Sequence, residues 1–318
     1  MRGISVTPDR NRPAVMSCMR DEGAHLLEWL AYHRAVGFGE VVVATNDCSD
    51  GTDALLDALA AAGEVTHLRN DVPDGTPPQH SGTALAMAHL RARGAHWVLH
   101  IDADEFLNVQ TGHGTVDDLL AVAPDADCIC IGWRNFGDGG HAAWPGATLP
   151  HFTRREGPPK PDESYFKCLF RLASFDHAYA HMPTRPTMAN PTLVNAAGQQ
   201  LKNDQLFADA PRVRFFPVRD ALRLDRVAIN HYGVKSPDVF TMKLARGRGE
   251  NTRGHQKYRL GSEWHRRANR NEVEDTTILR HWPATEAGIA RLRALPGVAE
   301  AEARCLAWFD DRRLETAE

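Results

Sequence analysis

Two aspartates separated by one residue close the apolar run His100–Leu107 (HIDADEFL), and this is the local pattern best suited to chemistry. In extended chain Asp102 and Asp104 project to the same side and can face one divalent cation. Hard cations such as Mg²⁺ or Mn²⁺ prefer oxygen ligands, and Mg²⁺ is commonly held by one or two carboxylates plus substrate phosphates. A solvated turn would also use aspartate, but here the run before Asp102 is apolar and Glu105-Phe106-Leu107 returns to apolar sequence. A second acidic cluster occupies Asn46–Leu59 (NDCSDGTDALLDAL). Ser49 or Asp50 can cap the helix that follows, which accounts for one acid but not three. A remaining aspartate is placed to accept from a base N–H or a ribose hydroxyl. Lys235 offers a point cation for a diphosphate. Trp133, Asn135, Phe136 and His141 surround a glycine-rich turn whose aromatic faces are natural platforms for sugar rings, with Lys167 and Arg171 available for an anionic group. Glu163, Asp176, His177 and His181 are the candidates for a general base.

The elements that must position these residues punctuate cleanly in the first 135 positions. Ala14–Met19, Glu40–Thr45, Val65–Leu68, His96–Ile101 and Asp127–Trp133 read as strands. Glu22–Val36, Thr52–Ala62 and Ser81–Arg93 read as helices that stop at Gly37, Gly63 and Gly94, and Thr115 caps a short helix. Alternation of this kind predicts βαβ units and a mostly parallel sheet covered on both faces. Ligands then sit beyond the carboxyl ends of the strands, where strand order reverses, so the loops after Met19, Thr45 and Ile101 are expected on one rim. From about residue 136 proline, glycine, histidine and aromatics become denser and periodicity weakens. Ser236-Pro237-Asp238 starts a further helix, and Thr285–Leu295 and Val298–Arg312 complete the helical pattern. The expected division is 1–135 for a first half, 136–235 for a second half of the same domain and 236–318 for a helical extension. A basic stretch, Arg246, Arg248, Arg253 and Arg259, suggests a lid.

Composition excludes several classes. The chain has 318 residues, 42% of them hydrophobic and 25% charged, with 37 Lys+Arg against 41 Asp+Glu and a net charge of −4. A near-neutral balance lacks the basic field that nucleic-acid binding requires. No apolar stretch reaches the length of a membrane span, and the first residues lack the apolar core of a signal peptide. The six cysteines are too few for a disulfide scaffold, and Cys128 and Cys130 are expected on opposite strand faces, not in a zinc site. A reducing cytoplasmic setting with free thiols is the expectation. No glycine-rich phosphate loop is present, which disfavours kinases, P-loop enzymes and dehydrogenases.

The runs MRDEGAHLLEWLAYHRAVGFGEVVVATNDCSDGTDALLDAL and WVLHIDADEFL resemble the family 2 glycosyltransferases, in particular a bacterial branch with an E-W-x-x-Y-H helix and an N-D-C-S-D-G-T loop. The resemblance resumes at WRNFGDGGH, YFKCLFR and NHYGVKSPDVFTMKLARGRGE. It implies an α/β fold of GT-A type, a Rossmann-like, mostly parallel sheet flanked by helices. It also implies a nucleotide-sugar donor held by 1–135, UDP-sugars being favoured, an acceptor held by 136–235, and Mn²⁺ or Mg²⁺ as cofactor. Asp102 and Asp104 would then bind the metal, with Asp102 also near the ribose. His231 would be the third ligand, Asp47 would meet the base, and Glu22 would lie beside the nucleotide. The loop here carries Asn46-Asp47-Cys48 where many members have two aspartates and a glycine.

The expected function is metal-dependent transfer of a sugar to a glycan or lipid-linked acceptor, with inversion, in the cytoplasm or at the inner face of the membrane. Peripheral membrane contact fits a lipid-linked acceptor. A nucleotidyltransferase would share the metal logic, but Met19-Arg20-Asp21-Glu22 is not its glycine-rich basic signature. A non-catalytic sugar- or nucleotide-binding module would bind donor without turnover.

Overall fold

A computed structural model describes residues 12–158, 165–207, 223–246 and 255–315. Its first half runs β1 (Ala14–Met19), α1 (Gly23–Ala35), β2 (Glu40–Thr45), α2 (Thr52–Ala61), β3 (Thr66–Arg69), α3 (Pro78–Ala92), β4 (Trp97–His100), β5 (Glu105–Val109), α4 (Val116–Leu120) and β6 (Cys128–Asn135). Next come β7 (Arg154–Arg155), β8 (Phe166–Arg171), the hairpin strands β9 (Phe175–Ala178) and β10 (Pro183–Pro186), β11 (Leu193–Asn195) and β12 (Val227–His231). The chain continues through α5 (Pro237–Arg246), α6 (Glu263–Ala268), β13 (Val273–Glu274), α7 (Trp282–Arg293) and α8 (Val298–Glu315).

Nine strands form one sheet in the order β3-β2-β1-β4-β8-β6-β12-β5, with β11 also paired to β6. β3, β2, β1 and β4 are mutually parallel, while β8 runs antiparallel to both β4 and β6, and β5 antiparallel to β12. This is the α/β, Rossmann-like sheet with flanking helices that the sequence implies. The chain leaves β1 in one direction through β2 and β3 and returns on its other side as β4. The strand order therefore reverses between β1 and β4, which puts Met19 and Asp102 at the switch point.

The strands of this half read as unbroken apolar runs because both of their faces are covered. Val15 and Met19 face one apolar core, which extends to Phe309, and Ala14 and Met16 face another beneath α3 and Phe166, Phe170 and Phe175. Gly37, at φ +109°, lets α1 end in a left-handed turn in which the Phe38 N–H donates to His33 O.

Three features differ from expectation. β5 was not legible as a strand, because Glu105–Val109 is too short and too mixed to show a period, yet it pairs along its whole length with β12. α1 is buried on nearly every face, not along one stripe, because α7 and α8 pack on its outer side. The approach is close enough that a Cβ on Gly23 would meet Cys305 Sγ at 2.4 Å, and one on Gly288 would meet Ala31 Cβ at 3.0 Å. Finally, Cys128 and Cys130 share one strand face, since residues two apart in a strand point the same way, and Cys130 is the register partner of Cys168 on β8.

Candidate active site

The E-W-x-x-Y-H residues of α1 build the support for the site. The Trp29 indole N–H donates to Glu105 O at 3.1 Å and the Tyr32 hydroxyl to Leu107 O at 2.7 Å, so α1 holds β5. The Glu28 carboxylate accepts the Thr148 and Leu149 N–H groups. These side chains are buried, and each is satisfied by backbone, as buried polar groups must be.

Between β4 and β5 the chain turns through Asp102–Glu105, with the Glu105 N–H donating to Asp102 O and the Asp102 N–H donating to Glu105 Oε2 at 2.9 Å. Lys167 lies fully buried beneath this turn and donates to Asp102 Oδ2 at 3.0 Å, to Ala180 O at 2.8 Å and toward Glu105 Oε2 at 3.2 Å. Burial alone would lower the Lys167 ammonium, but Asp102 and Glu105 hold it above its ordinary value. Burial pushes the Glu105 carboxyl well above the carboxylate range, against the pull of Lys167. Lys167 is thus an internal brace of the turn and does not face an acceptor.

Asp104 points to the other side of the rim. Lys243 of α5 donates to its Oδ2 at 2.5 Å and to Gly233 O at 2.8 Å, while His231 Nε2 lies 4.0 Å from Oδ1. Burial opposes ionisation of Asp104, but Lys243, followed by His231 and Lys235, holds its carboxyl well below the usual range. The His231 Nδ1 is 2.9 Å from Asn135 Oδ1, an acceptor only, so Nδ1 carries the proton and Nε2 the lone pair. Burial pushes this imidazole down to about 4, so it is neutral near pH 7. The ring stacks on Trp133 at 4.0 Å, with 16° between planes. Gly233 permits this arrangement, because a Cβ there would meet His231 Cε1 at 2.5 Å and Trp264 at 2.9 Å.

A cavity of about 430 Å³ opens at this place, lined by Glu22, Asp102, Asp104, His181, His231 and Lys243 among others. Asn46 joins it to a second cavity of about 660 Å³ beyond β2 and β3, where Asp47, Asp53 and Asp71 stand. The loop acids divide the work. Asp50 is buried and caps two helices, accepting from Gly23 N at 2.9 Å and Thr52 N at 2.7 Å, and Asp53 pairs with Arg69 at 2.8 Å. Asp47 stays exposed, in contact with the Asn46 amide at 2.9 Å. Asp47, which lines the second cavity, and Asp21, between the lining residues Arg20 and Glu22 of the first, have positive φ of 49° and 51°. Such strain clusters at functional sites.

Of the other sequence candidates, Lys235 is buried beneath the rim and burial lowers it to about 8; Lys243 lines the cavity in its place. Trp133 and Asn135 line a third space of about 210 Å³ with Tyr165, Glu263, Trp264 and Arg267. His141 sits outside these cavities against His151 and Phe152, and the turn beside it is held by Asn269 and Asn271. Arg171 lies at the far end of β8, over the Trp97 ring and bonded to Ala126 O. Asp176 is exposed on the β9–β10 hairpin, and His177 packs against Tyr179 there. Glu163, Arg248 and Arg253, and the Arg246 side chain, lie outside the described residues, and Arg259 is exposed. Sequence reading missed Lys243, Gln79 (whose amide donates to Asp102 Oδ1 at 3.1 Å), Tyr165, Tyr258 and Trp264. Lys243 had a signal: it falls one turn after Val239 and Phe240 on the buried face of α5.

Asp104 Oδ1 and His231 Nε2 fit as a pair of ligands for a hard divalent cation, since Lys243 takes only the other carboxylate oxygen. Asp102 is turned to Lys167 and Gln79. Among the described residues no three His, Cys, Asp or Glu side chains form a metal-holding group, so a cation here would need substrate oxygens to complete its shell.

The family model for glycosyltransferase family 92 matches residues 16–187, more than half of the chain. A glycosyltransferase family 92 protein of Ricinus communis is 26% identical over 243 residues, covering 73% of this chain and 37% of that protein. Another, from Oryza sativa subsp. japonica, is 25% identical over 242 residues, covering 73% and 35%. The chain thus spans little more than a third of the length of these curated relatives. Among solved structures, S. aureus TarS 1-349 is 12% identical, with 96% of this chain and 91% of that one covered and a TM-score of 0.37. The same protein in complex with UDP is 18% identical over 42% of this chain and 38% of that one, with a TM-score of 0.30. The resemblance to family 2 is corrected by the family match. The chain belongs to glycosyltransferase family 92.

Proposed function

We propose that this chain transfers a hexose from a nucleoside diphosphate sugar to a hydroxyl of a glycan or lipid-linked acceptor, with inversion at the anomeric carbon. The observation that carries the reading is the convergence of Asp104, His231 and Lys243 on one cavity at the switch point of the sheet. Asp47 beside the Asn46 amide offers an acceptor and a donor to the N3–H and carbonyl edge of uracil, which favours a UDP-sugar. Asp102 and Glu22 line the cavity between that loop and Asp104, where a ribose and diphosphate would lie.

Asp104 and His231 would hold Mn²⁺ or Mg²⁺ together with the donor diphosphate. A bound cation supplies Lewis-acid neutralisation of the leaving group. Lys243 keeps Asp104 ionised and brings its own ammonium to the same cavity, adding fixed positive charge where the leaving diphosphate develops negative charge. Trp133, Tyr165 and Trp264 give the third space aromatic walls for a sugar ring, and it meets the first cavity at His231. Among the described residues no helix is long and apolar enough to cross a membrane. A cytoplasmic setting, at the inner membrane face for a lipid-linked acceptor, is part of this proposal.

The test is a panel of nucleotide sugars with and without Mn²⁺, followed by nucleoside diphosphate release. Turnover of at least one UDP-sugar, dependent on the cation and lost in Asp104→Ala, is expected. Thermal stabilisation by nucleotides with no sugar released from any donor would make the chain a binding module instead.

A further inference from the structure

We infer that Glu263 and Arg267 of α6 select the acceptor, reading neighbouring hydroxyls of one uncharged sugar ring and turning acidic sugars away; the assignment rests on the transferase reading above. α6 brings Glu263, Trp264, Arg267 and Ala268 to the third space. That space holds about 210 Å³, below the roughly 300–1,000 Å³ of pockets that enclose drug-sized ligands, so it fits one ring and not a longer glycan. It shares Trp133, Tyr165, His231 and Trp264 with the first cavity, so a ring seated there lies beside the donor.

The charges of the space decide what it can hold. Among the described residues its charged lining is one carboxylate and one guanidinium, since burial keeps the His231 imidazole neutral near pH 7. Glu263 and Arg267 stand one helical turn apart, with Arg267 Nη1 3.6 Å from Glu263 Oε1. That is an ion-pair contact, too long for a hydrogen bond between these two atoms. A guanidinium has five donors and a carboxylate about four acceptor positions. The pair can therefore give a bond to one hydroxyl and take one from its neighbour while the two charges stay matched. The Asn135 amide, by contrast, is committed to His231 and Glu156. An acidic sugar meets no net charge here, because Glu263 offsets Arg267, and its carboxylate would give up water beside a like charge.

α6 is held at both ends, which fixes the place of the pair. Ser262 caps it, accepting from His265 N at 3.1 Å and donating to Lys257 O at 2.7 Å. Just past its last residue, Asn269 exchanges bonds with Asp138, giving its amide to Oδ2 at 2.6 Å and accepting the Asp138 N–H at 2.8 Å. Asn271 accepts the Gly139 N–H at 2.8 Å. The glycine-rich turn after β6 is thus the mount for α6, and a Cβ on Gly137 would meet Arg270 O at 2.6 Å. On the other side Trp264 stacks on Phe240 at 5.7 Å, with 10° between planes, and Phe240 belongs to the helix that carries Lys243. A pair set in place beforehand loses little freedom when the sugar binds.

The test pairs neutral and acidic sugars of the same ring: methyl glucosides and galactosides, in both anomers, against the matching glucuronides and galacturonides. Binding to the full chain is measured by saturation-transfer NMR titration with UDP and Mn²⁺ present. At least one neutral glycoside should bind, and its acidic counterpart roughly tenfold more weakly. Glu263→Gln keeps the shape of the side chain and loses its charge, and should move the preference toward the acidic sugar by roughly tenfold; Arg267→Gln should move it the other way. UDP affinity should not change in either variant. Both side chains reach solvent, so neither change threatens the fold. Equal binding of neutral and acidic partners by the parent, no binding of any neutral glycoside, or variants that weaken both partners alike would overturn the assignment. Release of UDP from UDP-glucose, UDP-galactose and UDP-N-acetylglucosamine with the same glycosides tests the transferase reading separately. The stated charge preference with no UDP released would remove the transfer and keep the pair as a sugar-binding site. UDP release with a preference that neither variant moves would remove the pair alone.

Discussion

Lys243 Nζ lies 2.5 Å from Asp104 Oδ2, although 139 positions separate the two residues in the chain. The contact joins the end of the parallel half of the sheet to the helix that follows β12, and it puts a cation on the aspartate oxygen that His231 does not approach. Lys243→Met should lower kcat for transfer by roughly 10²-fold, the usual scale for removing one fixed charge from a developing anion. Lys243→Arg should recover part of the loss. Steady-state kinetics with the best UDP-sugar donor decide the point, and an unchanged kcat in the methionine variant would remove Lys243 from the mechanism.

Asn135 sets the His231 tautomer from the adjacent strand β6, where it is the register partner of His231, and in turn its amide donates to Glu156 at 3.1 Å. Freed of that partner, the imidazole can protonate or rotate. Asn135→Ala should weaken Mn²⁺ binding in the presence of UDP by about 10–100-fold, as loss of such outer partners does elsewhere. Electron paramagnetic resonance of free Mn²⁺ reads this without any turnover.

Asp47 and Asp50 stand three residues apart in one loop and should fail differently. Asp50→Ala removes the acceptor from two buried helix starts, and urea unfolding should show a loss of roughly 2–3 kcal/mol. Asp47→Asn keeps a residue that tolerates positive φ and should change stability by less than about 0.5 kcal/mol. Its effect should appear as weaker UDP binding in calorimetry. Equal stability losses in both variants would contradict the division of labour in the loop.

His33 is fully buried, with Nδ1 2.8 Å from Trp29 O and its ring stacked on Phe106, and burial pushes it down to about 3. The folded state thus holds it neutral where the unfolded chain protonates near pH 6.5. The stability this contributes is present above about pH 6.5 and is lost as pH falls toward 3. The unfolding midpoint of the parent should therefore drop more steeply between pH 7 and 5 than that of His33→Leu, whatever their absolute values. Parallel pH slopes would show that His33 takes up its proton alike in the native and unfolded states.

What the sequence determined by itself is local. Apolar runs of strand length, helices ended by glycine and an Asp-x-Asp at a strand terminus each depend on neighbours within a few residues, and they placed β1–β4, α1–α3 and the rim where the structure has them. Asp102, Asp104 and Trp133 were legible as candidates for the same reason, as was the helix from Pro237, whereas His231 entered only through the family resemblance. The same locality misled the family reading, because short motifs report chemistry and not descent. Only the tertiary structure decided which charged groups meet. Lys167 and Lys235 read as site cations but are buried beneath the rim, while Lys243, Gln79, Trp264 and His181 arrive at the cavity from separate segments. Arg171 and Asp176 were set apart by the strand and hairpin that carry them. A side chain's partner across the sheet depends on strand order and register, and those follow from packing among segments that lie far apart in the chain.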